Sequence, residues 1–192
     1  MILIATPCKG SVAPGYTFDL VNLMSFSAQA GIPCAYANLP NCTFLSNGRQ
    51  TLVDGALRSG ASHVLFIDAD MRFPPDGLKT LLAKAHSIVG ANYLERVRKI
   101  PTASRGVRRL ASAGQEGAEQ VDFLGFGLCL IECNVFRELP RPWFATPWDG
   151  EQHVTDDVFF CKLAREHEIP VWVDHDVSQH VRHIAEEELG WH

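Results

Sequence analysis

Residues 63–71 read HVLFIDADM, an apolar run that stops on two aspartates, Asp68 and Asp70. A continuous apolar run of this length is how a strand covered on both faces reads. In an open parallel sheet, ligands bind just beyond the carboxyl ends of such strands. Carboxylates two apart on an extended backbone share a side, and they repel unless a proton or a cation lies between them. A divalent cation carrying a phosphate resolves that repulsion, because hard cations prefer oxygen ligands. An isolated D-x-D also serves as a turn cap, so its meaning rests on what surrounds it.

Upstream, residues 2–6 form an apolar strand ending at Pro7, and residues 16–30 carry apolar side chains at helical spacing up to Gly31. Residues 33–37 read as a second strand. Ser46 or Asn47 caps a helix that turns Leu52, Val53, Ala56 and Leu57 inward and ends near Gly60. Downstream, Pro74 and Pro75 open a helix, and residues 87–91 read as a fourth strand. This alternation predicts a doubly wound, mostly parallel α/β sheet. The second half is mixed. A basic loop is followed by strand-like sequence over 121–132, a Pro/Trp-rich connection over 140–148, a helix from Thr155 to about His167, a strand over 171–174 and a His/Glu-rich tail.

The 192 residues suffice for one domain with its own core, within which 1–92 reads as a nucleotide-binding half and 93–192 as an acceptor and catalytic half. The apolar fraction of 46% and charged fraction of 20% exclude disordered and collagen-like classes. No run of about twenty apolar residues exists, so no membrane span is expected. The first residues lack a basic stretch before their short apolar run and read as a strand, not a secretory signal. Six cysteines without knuckle spacing read as core residues in a reducing, cytoplasmic compartment.

Charge is unevenly placed. Arg96, Arg98, Lys99, Arg105, Arg108 and Arg109 fall in a stretch without acids, leaving the other 11 of 17 bases against 22 acids, or −11. The loop follows the fourth strand and is expected at the same sheet edge as Asp68 and Asp70. It is expected to be mobile around Gly106 and to receive an anionic acceptor such as a nucleic acid or a phosphorylated glycan.

Farther along, Asp156 and Asp157 open a helix, and His175, His180 and His183 follow the last strand. In that order, the strand-end acids, helix-opening acids and late histidine resemble the GT-A type of nucleotide-sugar glycosyltransferases, specifically the small family-2-like enzymes of phages and bacteria. The resemblance runs through SNGRQTLVDGAL, HVLFIDADMRFPPDGL, SIVGANYLER, FLGFGLCLIECNVF, RPWF, TDDVFFCKLAREHEIPVWVDHD and QHVRHIA.

The resemblance implies a GT-A, Rossmann-like fold and a metal-dependent, inverting transfer of a sugar from a nucleotide-diphosphate donor to an acceptor hydroxyl. It implies that Thr6, Pro7, Arg49, Asp68, Ala69 and Asp70 bind the nucleotide. Asp70 and His183 would hold Mn²⁺ or Mg²⁺, with Asp157 as the base and Asp156 second. Trp143, with Phe144 and Trp148, would form an apolar wall for a sugar. The family usually has Glu-Asp in place of Asp156-Asp157 and His-x-Gly in place of His183-Ile184-Ala185, which keeps His180 in competition with His183.

Rival readings remain. A haloacid dehalogenase-like phosphohydrolase also carries D-x-D at a strand end, but on its first strand, and Arg72 stands where that family has Thr or Val. A sugar nucleotidyltransferase expects an arginine in its phosphate loop, which ATPCKGSVAPG lacks. A non-catalytic nucleotide-sugar binding module would not need Asp157.

Overall fold

The computed structural model describes residues 1–184. β1 (Ile2–Pro7), α1 (Pro14–Gln29), β2 (Cys34–Leu39), α2 (Leu45–Arg58) and β3 (His63–Ile67) follow in turn. After β4 (Met71–Arg72) come α3 (Gly77–Ala83) and β5 (Ile88–Gly90). A hairpin of β6 (Ser104–Arg105) and β7 (Arg108–Arg109) precedes β8 (Ala118–Val121), β9 (Leu128–Glu132) and α4 (Cys133–Glu138). The described chain closes with α5 (Asp156–Glu166), β10 (Val171–Asp174), α6 (His175–Ser178) and β11 (Arg182–His183).

Seven strands form one sheet in the order β2-β1-β3-β9-β5-β10-β8. β1 pairs in parallel with β2 and β3, and β5 in parallel with β10. β9 lies between β3 and β5, antiparallel to both, and β8 is an antiparallel edge. The expectation of a doubly wound, mostly parallel sheet with a mixed second half therefore holds: β1, β2, β3, β5 and β10 run one way, and the second half adds the reversed β9 and β8.

Alternate residues of each strand feed two cores, as a period of two requires. Leu3, Ala5, Val64, Phe66, Cys129 and Ile131 face the side covered by α2, α4 and α5. Ile2, Ile4, Leu65, Ile67, Leu128 and Leu130 face α1 and α3.

Two expectations are corrected. Residues 121–132 do not run as one strand. Gly125 and Gly127 lie on the turn between β8 and β9, and a Cβ at either would come within 2.6 Å of Tyr93, so this apolar stretch turns where its glycines admit the tyrosine. The helix expected from Pro74 begins at Gly77 instead, since a residue before proline is pushed out of the helical region. The basic loop contains a hairpin turn, with Gly106 at φ +55° between β6 and β7. Among the described residues, no helix is long and apolar enough to cross a membrane.

Candidate active site

The strand that carries the acidic motif ends at Ile67, and the chain turns at once, with Met71 N donating to Asp68 O at 3.2 Å. The two carboxylates therefore part instead of pointing together from an extended strand. Asp68 reaches Arg49 of α2, and Asp70 reaches His183 of β11. Ala69 between them accepts a backbone hydrogen bond from Ala13, which ties the turn to the segment before α1.

Arg49 is the hub of the first half-site. Its Nη2 donates to Asp68 Oδ1 at 2.8 Å and its Nη1 to Asp156 Oδ2 at 2.5 Å. The guanidinium is buried and lies over the rings of Phe66 and Phe126, at 5.8 and 5.6 Å. Burial alone would lower its pKa, but Asp68, Asp156 and Asp157 together hold it up, so it stays charged. One cation thus faces several carboxylates. Burial, reinforced by the neighbouring acids, pushes Asp68 up to about 6 despite Arg49. Burial also raises Asp157 above the usual carboxylate range, again against the pull of Arg49.

Asp156 and Asp157 lie in the first turn of α5, where carboxylates complement the helix dipole. They are not equivalent. Asp156 is buried and bound to Arg49. Asp157 is half-buried, and its Oδ1 accepts from Thr155 Oγ1 and from Val158 N. These contacts engage Oδ1 of Asp157 and leave its Oδ2 without a hydrogen bond among the described residues.

The second half-site is built by a short ribbon. β11 pairs antiparallel with β4, His183 opposite Met71, and Ile184 N donates to Asp70 O at 2.8 Å. This pairing puts His183 Nε2 3.3 Å from Asp70 Oδ2. His183 Nδ1 lies 3.3 Å from Leu94 O. Both neighbours are acceptors, and the hydrogen bond to Asp70 raises the imidazole pKa. Arg96 Nη2 donates to the same Asp70 Oδ2. Burial opposes ionisation of Asp70, but His183 and Arg96 hold its pKa down. His180, the rival histidine, is exposed. Ala185 lies outside the described residues.

Asp70 and His183 form a mixed O/N pair with the ring oriented through Nδ1, which suits a divalent cation. Among the described residues, no three His, Cys, Asp or Glu side chains converge as a metal cage. A cation that keeps waters and phosphate oxygens needs only one or two protein ligands, so the donor set fits Mn²⁺ or Mg²⁺ carried by a diphosphate.

A cavity of about 550 Å³ adjoins this half-site, with Tyr93, Leu94, Arg96, Lys99, Ser112 and His183 in its wall. Buried Asn92 holds the wall together, donating to Leu110 O at 2.7 Å and Ser112 Oγ at 3.1 Å and accepting from Ala103 N at 2.9 Å. His175 braces it from behind, between Ser112 Oγ and Glu119 Oε2. Sequence reasoning missed Tyr93, whose hydroxyl accepts from Gly127 N at 2.9 Å and whose ring meets His183 edge-on at 5.5 Å. The legible signal was the Gly125/Gly127 pair.

Other expected residues lie elsewhere. Thr6 is fully buried and its hydroxyl meets Tyr16 OH inside the core, while Pro7 is buried at the end of β1. Trp143 is 3% exposed, packs on Phe136 at 5.4 Å and donates from Nε1 to Leu139 O. Its ring belongs to the aromatic core with Phe144, so it offers no face to a sugar. Trp148 is exposed and meets only His153 edge-on among the described aromatic side chains.

The basic loop is largely neutralised. Arg96 holds Asp70, Arg98 and Arg109 approach Glu95, and Arg105 pairs with Glu119. Among the described residues, only Lys99 and Arg108 of its six bases lack an ion pair.

No protein-family model matches the chain, and no curated protein does. Solved structures do. A197 from STIV superposes with a TM-score of 0.63 at 15% identity, covering 99% of this chain and 96% of that one. S. aureus TarS 1-349 in complex with UDP-GlcNAc gives 0.56 at 13% identity, covering 98% of this chain and 59% of the other. The chain has the GT-A glycosyltransferase fold. It spans about three fifths of the TarS fragment, and at these identities the GT-A likeness is one of fold.

Proposed function

We propose that this GT-A chain is a metal-dependent glycosyltransferase that moves a sugar from a nucleoside-diphosphate donor to an acceptor hydroxyl with inversion. The observation that carries the reading is Arg49, which joins the strand-end Asp68 to the helix-opening Asp156 and so gathers two distant acidic pairs at one sheet edge. TarS was solved with UDP-GlcNAc, which makes uridine-diphosphate sugars the first donors to try. A phosphohydrolase of the haloacid dehalogenase type has less support, since its acidic motif belongs on the first strand and Asp68 follows β3.

Asp70 and His183 would hold Mn²⁺ or Mg²⁺, which when bound neutralises charge on the departing diphosphate. Asp157 Oδ2 takes the proton of the acceptor hydroxyl as that oxygen attacks the anomeric carbon. The carbon–oxygen bond to the diphosphate breaks, and the diphosphate leaves with the electron pair. A raised pKa suits Asp157, because a base is most effective when its pKa approaches the working pH. Asp156 stays bound to Arg49 and fixes the start of α5. The acceptor enters through the cavity beside His183. With most of the loop's bases paired among the described residues, a compact acceptor fits better than a nucleic acid. The unpaired cysteines favour a reducing, cytoplasmic setting.

The test is thermal shift with UDP-, GDP- and dTDP-sugars, with and without Mn²⁺ and with a CMP-sugar as the monophosphate control, because a ligand that binds the native state raises its stability. One sugar nucleotide should stabilise the protein only with metal, and its slow hydrolysis should release the nucleoside diphosphate. No stabilisation by any of them would overturn the reading.

A further inference from the structure

Asp70 offers one oxygen to two basic side chains. Arg96 Nη2 and His183 Nε2 both address Oδ2, on the carboxylate that would hold the proposed metal. Of the basic loop, only Arg96 touches this site. Its side chain is 49% exposed and also lines the cavity. The backbone beneath it is fixed, since Leu94 bridges to Pro101 and Glu95 N donates to Ile100 O at 2.9 Å. The guanidinium can therefore move while its Cα stays.

The geometry points to Arg96 as a donor-recognition residue that exchanges partners: it neutralises Asp70 in the empty protein and pairs with the diphosphate once metal and donor are bound. The inference rests on the metal site proposed above. A divalent cation on the Asp70 carboxylate would meet the guanidinium that Arg96 sets against Oδ2, so a free metal ion would either displace Arg96 or lie beside its positive charge, and both disfavour binding of the metal alone. A metal that arrives with a nucleoside diphosphate brings anionic oxygens, and the planar fork of arginine fits phosphate oxygens two at a time. Arg96 thereby makes metal and diphosphate each improve the binding of the other, and such coupling is reciprocal. It also leaves Asp70 closed to stray cations until the donor is present.

The experiment measures Mn²⁺ binding, by the loss of its free-ion paramagnetic resonance signal, to the wild type, Arg96→Gln, Arg96→Lys and Asp70→Asn, each with and without UDP. In the wild type, UDP should tighten Mn²⁺ binding about tenfold or more, within the usual range of coupling. Arg96→Gln should bind Mn²⁺ alone several-fold more tightly than the wild type and lose most of the UDP effect. Arg96→Lys should keep the resistance to free Mn²⁺ and lose part of the coupling. If Arg96→Gln matches the wild type in both quantities while Asp70→Asn abolishes Mn²⁺ binding, the exchange is wrong and the metal site stands. If Asp70→Asn binds Mn²⁺ as the wild type does, the metal site itself falls, and the exchange with it.

Discussion

Arg49 Nη1 donates to Asp156 Oδ2 at 2.5 Å, joining residues 107 apart in the chain. Because Nη2 of the same group holds Asp68, one buried side chain sets the distance between β3 and the start of α5. Removing it leaves two carboxylates in a poorly solvated place. Arg49→Met is expected to cost about 3–5 kcal/mol of stability, read from urea unfolding. Arg49→Lys should recover little, because a single ammonium cannot bridge two acids in a fixed fork. A lysine variant as stable as the wild type would show that charge alone suffices.

Asp157→Asn should keep donor affinity and lower turnover by about 10²- to 10⁴-fold. Ionised Asp157 is the active form, so the wild-type rate should rise with pH through a limb above the ordinary value of 3.8. The residual rate of the variant should lack that limb. Comparing the two pH–rate profiles checks the assignment, and a greater loss in Asp156→Asn would transfer the role.

Asp68 binds its proton more tightly in the folded chain, at about 6, than the 3.8 of an ordinary aspartate. Between those values the native state holds more protons than the unfolded state, so stability falls as pH rises through the window. The fall is expected to be about 1–2 kcal/mol after allowance for partial solvent access. Asp68→Asn should remove it. Urea midpoints of the two proteins from pH 4 to pH 7 provide the comparison.

Much of this site was legible beforehand. The end of the apolar run at Ile67 marks the sheet edge, and acids in a first helical turn mark the start of α5. What a one-dimensional reading could not supply was the partners. Arg96 stands in a stretch without apolar period, and its contact with Asp70 depends on how far residues 92–101 fold back. Trp143 has no role legible in the sequence, because a Pro/Trp-rich segment looks the same whether it walls a ligand or plugs a core. The decision lay with Phe136, Phe144 and Phe160, which stack around one another from separate segments.

Trp143→Ala therefore tests packing. It should cost about 3–5 kcal/mol through the space it leaves while donor affinity stays unchanged. Weakened donor binding in a variant that is still folded would return Trp143 to the site.

His183→Ala should weaken Mn²⁺ binding in the presence of UDP about tenfold or more, whereas His180→Ala should leave it unaltered. Equal losses from the two would remove His183 from the ligand set. Isothermal calorimetry distinguishes these outcomes.

The reversed strand in the middle of the sheet governs how the chain can be completed during synthesis. β1 pairs with both β2 and β3, so these three can associate early. β5 has no partner among them: its two flanking strands, β9 and β10, are both made later. Until Leu128–Glu132 has been translated, the exposed edge of β3 and the whole of β5 wait with unpaired backbone, a template for joining another chain. A nascent chain cut short before residue 128 should therefore be sticky instead of half-folded, and the Asp68–Asp70 turn, whose Asp68 N donates to Gly127 O at 3.2 Å, would be left without that anchor.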